Sequence, residues 1–226
     1  MQAILWVSVL IALIFAGCDR RESTLHLVLV DVSLSAGADK ALYADAFDGV
    51  VESVDVGDRL VVGAISGKTN EEFRALSFEV EPSGRRLVDR AALDGLRVDA
   101  RAAFGALAGD GKLTCILQAL DRAAEIAAAD PHDRVHLLVL SDMVEDSPEA
   151  KLLTLTSAET DSLLARRARE GLVPNLSRVT VTVLGAKGVD AATYEKHKQF
   201  WCAYFDATGA VLASYGRDGV LVGRGA

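Results

Sequence analysis

The stretch Leu25-His26-Leu27-Val28-Leu29-Val30-Asp31-Val32-Ser33-Leu34-Ser35 decides how this chain is read. An apolar run ends abruptly in Asp-x-Ser-x-Ser, and Ala36-Gly37 then leads into a helical pattern. Short apolar runs bounded by turn residues predict strands buried on both faces, as in a parallel sheet. The polar triplet then stands at the carboxyl end of its strand, where open α/β sheets bind their ligands. One carboxylate and two hydroxyls within five residues are hard oxygen donors suited to a small hard cation. The same residue types also cap helices, so the triplet alone is equally compatible with a structural role.

Outward from this stretch, apolar strands and amphipathic helices alternate. Ala38–Ser53 spaces Leu42, Phe47, Val50 and Val51 as a helix, Gly57-Asp58 is a turn, and Arg59–Ser66 is a second buried strand. Phe73–Val80 predicts a third strand at an edge, and Pro82-Ser83-Gly84 breaks the chain before a helix over Arg85–Leu107, interrupted near Gly95. A helix from Thr114 to Ala129 precedes the strand Val135–Leu140, which runs directly into Ser141-Asp142. A long loop, Met143–Ser157, carries Glu145, Asp146 and Glu149. Helices over Ala158–Gly171 and Asp190–Asp206 and strands over Arg178–Leu184 and Ala210–Tyr215 complete the pattern. Phe200, Trp201, Tyr204 and Phe205 fall at helical spacing and read as core packing. This alternation predicts an α/β fold: a doubly wound, mostly parallel sheet with helices on both faces. In the order 3-2-1-4-5-6, the strands ending in Asp31 and Asp142 are neighbours at the switch point.

Three segments together resemble a known family. Asp31-x-Ser33-x-Ser35 resembles the first motif of the metal-ion-dependent adhesion site of von Willebrand factor A (VWA) domains. A glycine-rich loop ending in Thr114, followed by Ile116 and Ala119-Leu120, resembles the second. Asp142 stands where the third motif places its aspartate, usually in Thr-Asp-Gly or Ser-Asp-Gly; here Met143 replaces the glycine. The resemblance covers residues 25–215 and implies a Rossmann-like VWA fold. It implies a divalent cation held by Asp31, Ser33, Ser35, Thr114 and Asp142. Few carboxylates, several hydroxyls and room for water favour Mg²⁺ over Ca²⁺, with Mn²⁺ as a further alternative. It also implies a protein partner whose Asp or Glu reaches the cation, with loops such as Met143–Ser157 adding selectivity. A hydrolase using the same cation is the alternative, but it needs a general base and the sequence offers none near the motifs. A structural domain with an inactive metal site is the third reading.

Other chemistries fit poorly. The net charge of −8 argues against nucleic acid as the partner. Gly109-Asp110-Gly111-Lys112 is no phosphate loop, because Ala106 and Leu113 stand where Gly and Ser or Thr are required, and no nucleotide is expected. His26, His132, His136 and His197 show no zinc-ligand spacing. No Gly-x-Ser-x-Gly elbow is present. Cys115 and Cys202 read as ordinary buried helix residues rather than as a disulfide.

Residues 1–17 are uncharged and apolar, short for a membrane span and suited to a signal-peptide core. Phe15-Ala16-Gly17-Cys18 resembles the lipobox of bacterial lipoproteins, which makes Cys18 the acylated N-terminus and residues 18–24 a lipidated tether. The protein is then expected in the cell envelope, held to a membrane by lipid, with Asp19 favouring the inner membrane facing the periplasm. Residues 216–226 form a glycine-rich tail. Cys18→Ser is expected to abolish acyl labelling and to release the protein from membranes or leave its precursor uncleaved. Identical processing and no acyl label on the wild type would refute the assignment.

Overall fold

The computed structural model describes residues 21–67, 69, 73–108 and 113–217. Cys18 and the apolar residues 1–17, the glycine-rich 109–112 and the tail from 218 lie outside the described residues. Six strands form one sheet in the order β3-β2-β1-β4-β5-β6. They are β1 (Thr24–Asp31), β2 (Arg59–Ile65), β3 (Ala75–Glu79), β4 (Arg134–Leu140), β5 (Val179–Leu184) and β6 (Val211–Gly216). All neighbouring pairs are parallel except β2 with β3, so the edge strand runs antiparallel to its neighbour. Among the described residues, the α-helices named here are α1 (Lys40–Ser53), α2 (Arg86–Gly105), α3 (Ile116–Ala129), α4 (Ser157–Arg169) and α5 (Ala191–Ala207). The doubly wound α/β fold is thus the one expected from the alternation of apolar runs, and the strand order is the one in which Asp31 and Asp142 follow neighbouring strands. Among the described residues, no helix is long and apolar enough to cross a membrane.

Burial explains why the sheet is parallel. The last five residues of β1 are all buried, and β4 ends in four buried residues, because helices cover both faces there. One face packs Leu25, Leu27, Leu29, Leu137 and Val139 against α3 and α5. The other packs Val28, Val30, Leu138 and Leu140 against α1 and α2. The aromatic residues of α5 are core, as their spacing predicted: Trp201, Tyr204 and Phe205 are wholly buried. Burying three such side chains contributes several kcal/mol towards holding α5 on the sheet.

Several boundaries differ from expectation, each for a local reason. Helix α2 runs unbroken through Gly95, whose missing side chain faces open space. A single internal glycine costs about 1 kcal/mol relative to alanine and does not break a helix. Ser35–Asp39 is a 3₁₀ turn ahead of α1, not the start of the α-helix. Helix α4 begins at Ser157 behind a capping box, with Thr156 accepting from the Glu159 amide while the Glu159 carboxylate accepts from the Thr156 amide. The polar stretch before β1 is docked from Arg21 onward: Arg21 donates to the Asp58 carboxylate at 2.6 Å, and the Ser23 amide to Asp133 at 3.0 Å. Cys115 stands at the N-cap of α3 rather than inside it, and Cys202 is half-buried in α5. The Cys115 thiol lies 3.8 Å from the Gly67 carbonyl, and no disulfide joins it to Cys202.

One charge is buried with its partners arranged around it. Arg167, on α4, is 1% exposed and bridges three segments. It donates to Asp121 of α3 at 2.9 Å, to Glu149 of the long loop at 2.6 Å and to the Leu172 carbonyl at 2.7 Å. The guanidinium also lies 6.0 Å from the Tyr204 ring centroid. Arg167→Ala leaves Asp121 without its cation and Glu149 with only Arg166, at 3.8 Å, and is expected to cost about 3 kcal/mol, the low end for breaking a buried pair because Asp121 keeps some solvent. Urea denaturation measures it, and a loss below about 1 kcal/mol would show the network to be dispensable.

Candidate functional site

The register of the central strands brings the first and third motifs together. Val30 pairs with Leu140, so the next residues, Asp31 and Ser141, emerge side by side at the carboxyl edge. The Ser141 hydroxyl donates to Asp31 Oδ2 at 2.8 Å. The other carboxylate oxygen, Oδ1, accepts from the Ser33 amide at 2.9 Å, which folds the chain after β1 into a tight Asx turn. Ser33 and Ser35 place their hydroxyl oxygens 3.0 Å apart. Asp142 makes the matching turn after β4, accepting from the Val144 amide at 3.0 Å.

None of these groups serves as a helix cap. The 3₁₀ turn has Leu34 at its N-cap and α1 has Asp39, and neither takes a side-chain capping bond. Thr114 does not cap α3 either. Its backbone pairs in both directions with Asp146, at 3.1 and 3.0 Å, which ties the third segment to the loop just beyond Asp142. The cap comes from across that loop: Glu145 accepts from the Ile116 amide at 2.7 Å and the Leu117 amide at 3.0 Å. Sequence reading missed Glu145, although its place in the loop after Asp142 was the available signal.

Met143 resolves the question raised by the absent glycine. Its φ is 62°, the only positive value at a non-glycine among the described residues. The chain therefore makes the left-handed turn that a glycine makes freely, at a cost of about 1–2 kcal/mol. Three contacts hold it there. The Met143 amide donates to the Ser141 hydroxyl at 3.0 Å, its carbonyl accepts from the Trp201 indole at 2.9 Å, and its side chain is wholly buried. The next loop is also tied in: the Lys187 amide donates to the Asp142 carbonyl at 2.9 Å, while the Lys187 ammonium pairs with Asp39. His197, fully buried on α5, sits against the carbonyls of Leu152 and Lys187, and burial pulls its pKa down.

Among the described residues, the site holds two acids without a counter-charge. Asp31 and Asp142 are both buried, at 3% and 5% exposure, and neither has an ion-pair partner among the described residues. Burial raises the Asp31 pKa; the Ser33 and Ser141 hydrogen bonds oppose it, and the Asp142 charge adds to the rise. Tyr43, on α1, is buried with no hydrogen-bond partner for its hydroxyl. Burial raises its pKa, and the charges of Asp31, Asp142 and Asp39 raise it further. No group of three or more His, Cys, Asp or Glu side chains gathers among the described residues. The donors available are two carboxylates with hydroxyls beside them, a set that suits a small, partly hydrated cation rather than an all-protein cage.

Gly185, which follows β5, closes this corner. Its φ is 100°, and an added Cβ would come within 2.6 Å of the Tyr43 hydroxyl and 3.0 Å of the Ser141 carbonyl. Any side chain there would push on the backbone that carries Asp142.

No protein-family model and no curated protein matches this chain. Solved structures do. The pilus adhesin SpaC from Lactobacillus rhamnosus GG, in its open conformation, matches 89% of the chain at 12% identity with a TM-score of 0.50. The manganese-loaded TRAP protein of Plasmodium vivax matches 78% at 15% identity with a TM-score of 0.40. The chain spans 29% of the adhesin and 62% of the TRAP chain. At 12% identity the likeness to the adhesin is one of fold.

Glu145 gives a test of the local electrostatics. Burial pushes its carboxyl up to about 7, against the Ser147 hydroxyl and the two helix amides that pull it down. A folded pKa above the unfolded value of about 4.5 means the folded state holds this proton more tightly. Its stabilising contribution is full below pH 4.5 and is lost as pH rises through about 7. Glu145→Gln keeps an oxygen for the amides and cannot ionise. Thermal melts in EDTA are expected to show the variant gaining on the wild type between pH 5 and pH 7.5; a constant difference across that range would contradict the assignment.

Proposed function

We propose that this is a VWA-like protein-binding domain that takes up a divalent cation, Mg²⁺ before Mn²⁺ or Ca²⁺, at Asp31, Ser33, Ser35, Thr114 and Asp142. The observation that carries this reading is the buried pair Asp31 and Asp142, at adjacent strand ends, with hydroxyls beside it and, among the described residues, no ion-pair partner. Three other buried acids are met by cations, Asp58 by Arg21, Asp130 by Arg59 and Asp39 by Lys187, and Glu145 is met by two helix amides. Leaving one pair unmatched is costly unless a cation is the missing partner. A bound cation supplies that charge and offers an open position to an oxygen of the partner. Asp31 and Asp142 provide charge, the hydroxyls of Ser33, Ser35 and Thr114 fill the shell directly or through water, and Ser141 orients the Asp31 carboxylate.

The partner is read as a protein presenting an Asp or Glu side chain, with the Met143–Ser157 loop contributing selectivity. With Cys18 acylated, the domain would be displayed in the bacterial cell envelope at the inner membrane, facing the periplasm. The metal-dependent hydrolase is less well supported. Glu145, the carboxyl nearest in sequence to Asp142 with a strongly raised pKa, is wholly buried and spends one oxygen on two helix amides.

Titration calorimetry of the wild-type chain is expected to show one Mg²⁺ site, and Asp142→Ala to abolish both it and metal-dependent partner capture without unfolding the domain. Asp31→Asn should also lose Mg²⁺ while raising the melting temperature of the metal-free protein, because it removes the repulsion between two buried carboxylates. A wild type that takes up no divalent cation, alone or with partner, would sink the proposal.

A further inference from the structure

A cavity of about 740 Å³ opens beside the site, between α1 and the C-terminal end of α2. We infer that it receives a large apolar side chain next in sequence to the partner's acidic residue, so that the segment recognised is an acidic residue joined to an aromatic or long aliphatic one. This rests on the cation-site reading and specifies the partner for it.

The first ground is continuity. Asp31 and Ser33 line the cavity as well as the proposed cation site, so one ligand segment can reach both. The second is the wall. Phe47 and Phe104 stack with ring centroids 4.4 Å apart and planes 13° from parallel, and Leu107 adds to the same surface. The volume lies in the range of sites that enclose ligand groups, and the lining is mostly apolar with a few charged side chains, as such sites are.

The lip decides the kind of ligand. Leu34, between the two serines, is 84% exposed and stands at the cavity edge. A small molecule enclosed in the cavity would leave it in water, whereas a partner segment crossing the lip covers it. Lys40, also at the lip, is exposed and makes no ion pair among the described residues. Arg101, the other cation there, is already engaged by Asp48 and Glu52, at 2.8 and 2.6 Å. The free positive charge is thus at the opening, and it complements an acidic segment. A basic segment would meet Lys40 with like charge.

The test uses the full-length chain in detergent and three fluorescent hexapeptides: Gly-Ser-Asp-Phe-Ser-Gly, its Asp-Ala form and its Asn-Phe form. Polarisation is read with Mg²⁺ and with EDTA. The Asp-Phe peptide is expected to bind about tenfold tighter than Asp-Ala, the return for burying one aromatic side chain. Gly105→Phe fills the cavity from a position whose added Cβ meets nothing within 4 Å. It should erase that preference while leaving Asp-Ala binding and Mg²⁺ affinity unchanged, and Ala44→Phe provides a second filling variant should the first fail to fold. Equal binding of Asp-Phe and Asp-Ala, a preference that survives filling, or no peptide binding while Mg²⁺ is taken up overturns the inference and leaves the cation site standing. Failure of the wild type to take up Mg²⁺ overturns the site reading and the inference with it. Asn-Phe binding as tightly as Asp-Phe shows that the acidic residue is not recognised and likewise overturns it.

Discussion

The parallel pairing of β1 with β4 is the constraint on which the rest of this molecule depends. Hydrogen bonds between two buried strands fix Val30 opposite Leu140, and the pairing cannot slip by one residue without turning both core faces inside out. The polar residues that end the two strands are therefore delivered to one point. The Ser141 hydroxyl reaching Asp31 is the direct consequence, and so is the approach of the two buried carboxylates. Their repulsion is set by the core, which has no freedom to relieve it. The apolar packing on both faces of the sheet thus sustains an arrangement of charge that no local preference would choose.

Around Asp142 the molecule invests in rigidity. A methionine holds a left-handed backbone, and the Trp201 indole and Ser141 hydroxyl bond to the groups on either side of it. Glu145, three residues on, locks the loop onto the first turn of α3, and Lys187 ties the following loop to the Asp142 carbonyl. These bonds come from four different elements. These bonds hold the backbone that carries Asp142, and the Val144 amide holds one oxygen of its carboxylate. Strain at Met143 is consistent with the general tendency of strained backbone to gather at functional positions.

The distribution of ion pairs separates structure from site. Arg167, Arg21, Arg59 and Lys187 each meet a buried or half-buried acid and hold elements together. At Asp31 and Asp142 the pattern stops, in a chain whose net charge is already −8. The adjoining cavity adds apolar surface and a single unengaged ammonium to that acidic corner, so the surface there is mixed rather than uniformly negative.

Much of this was determined by the sequence alone. Apolar runs of strand length alternating with amphipathic helices leave few topologies open, which is why the doubly wound α/β class and the edge position of β3 were legible in it. The positions of Asp31 and Asp142 at strand ends were legible for the same reason, since each directly follows its apolar run. The aromatic spacing on α5 likewise announced a core helix. What the sequence could not carry is anything set by contacts between distant segments. Arg167 looks like surface charge until α3 and the long loop close over it. Met143 looks like a damaged turn until Trp201, far along the chain, binds its carbonyl. Glu145 looks like one acid among several in a loop until the amides of α3 arrive beside it. Local preference fixes which elements form, because backbone geometry and side-chain period act over a few residues. Burial, capping across loops and the cavity beside the site are decided by tertiary packing, because they depend on which distant groups the folded sheet brings within reach.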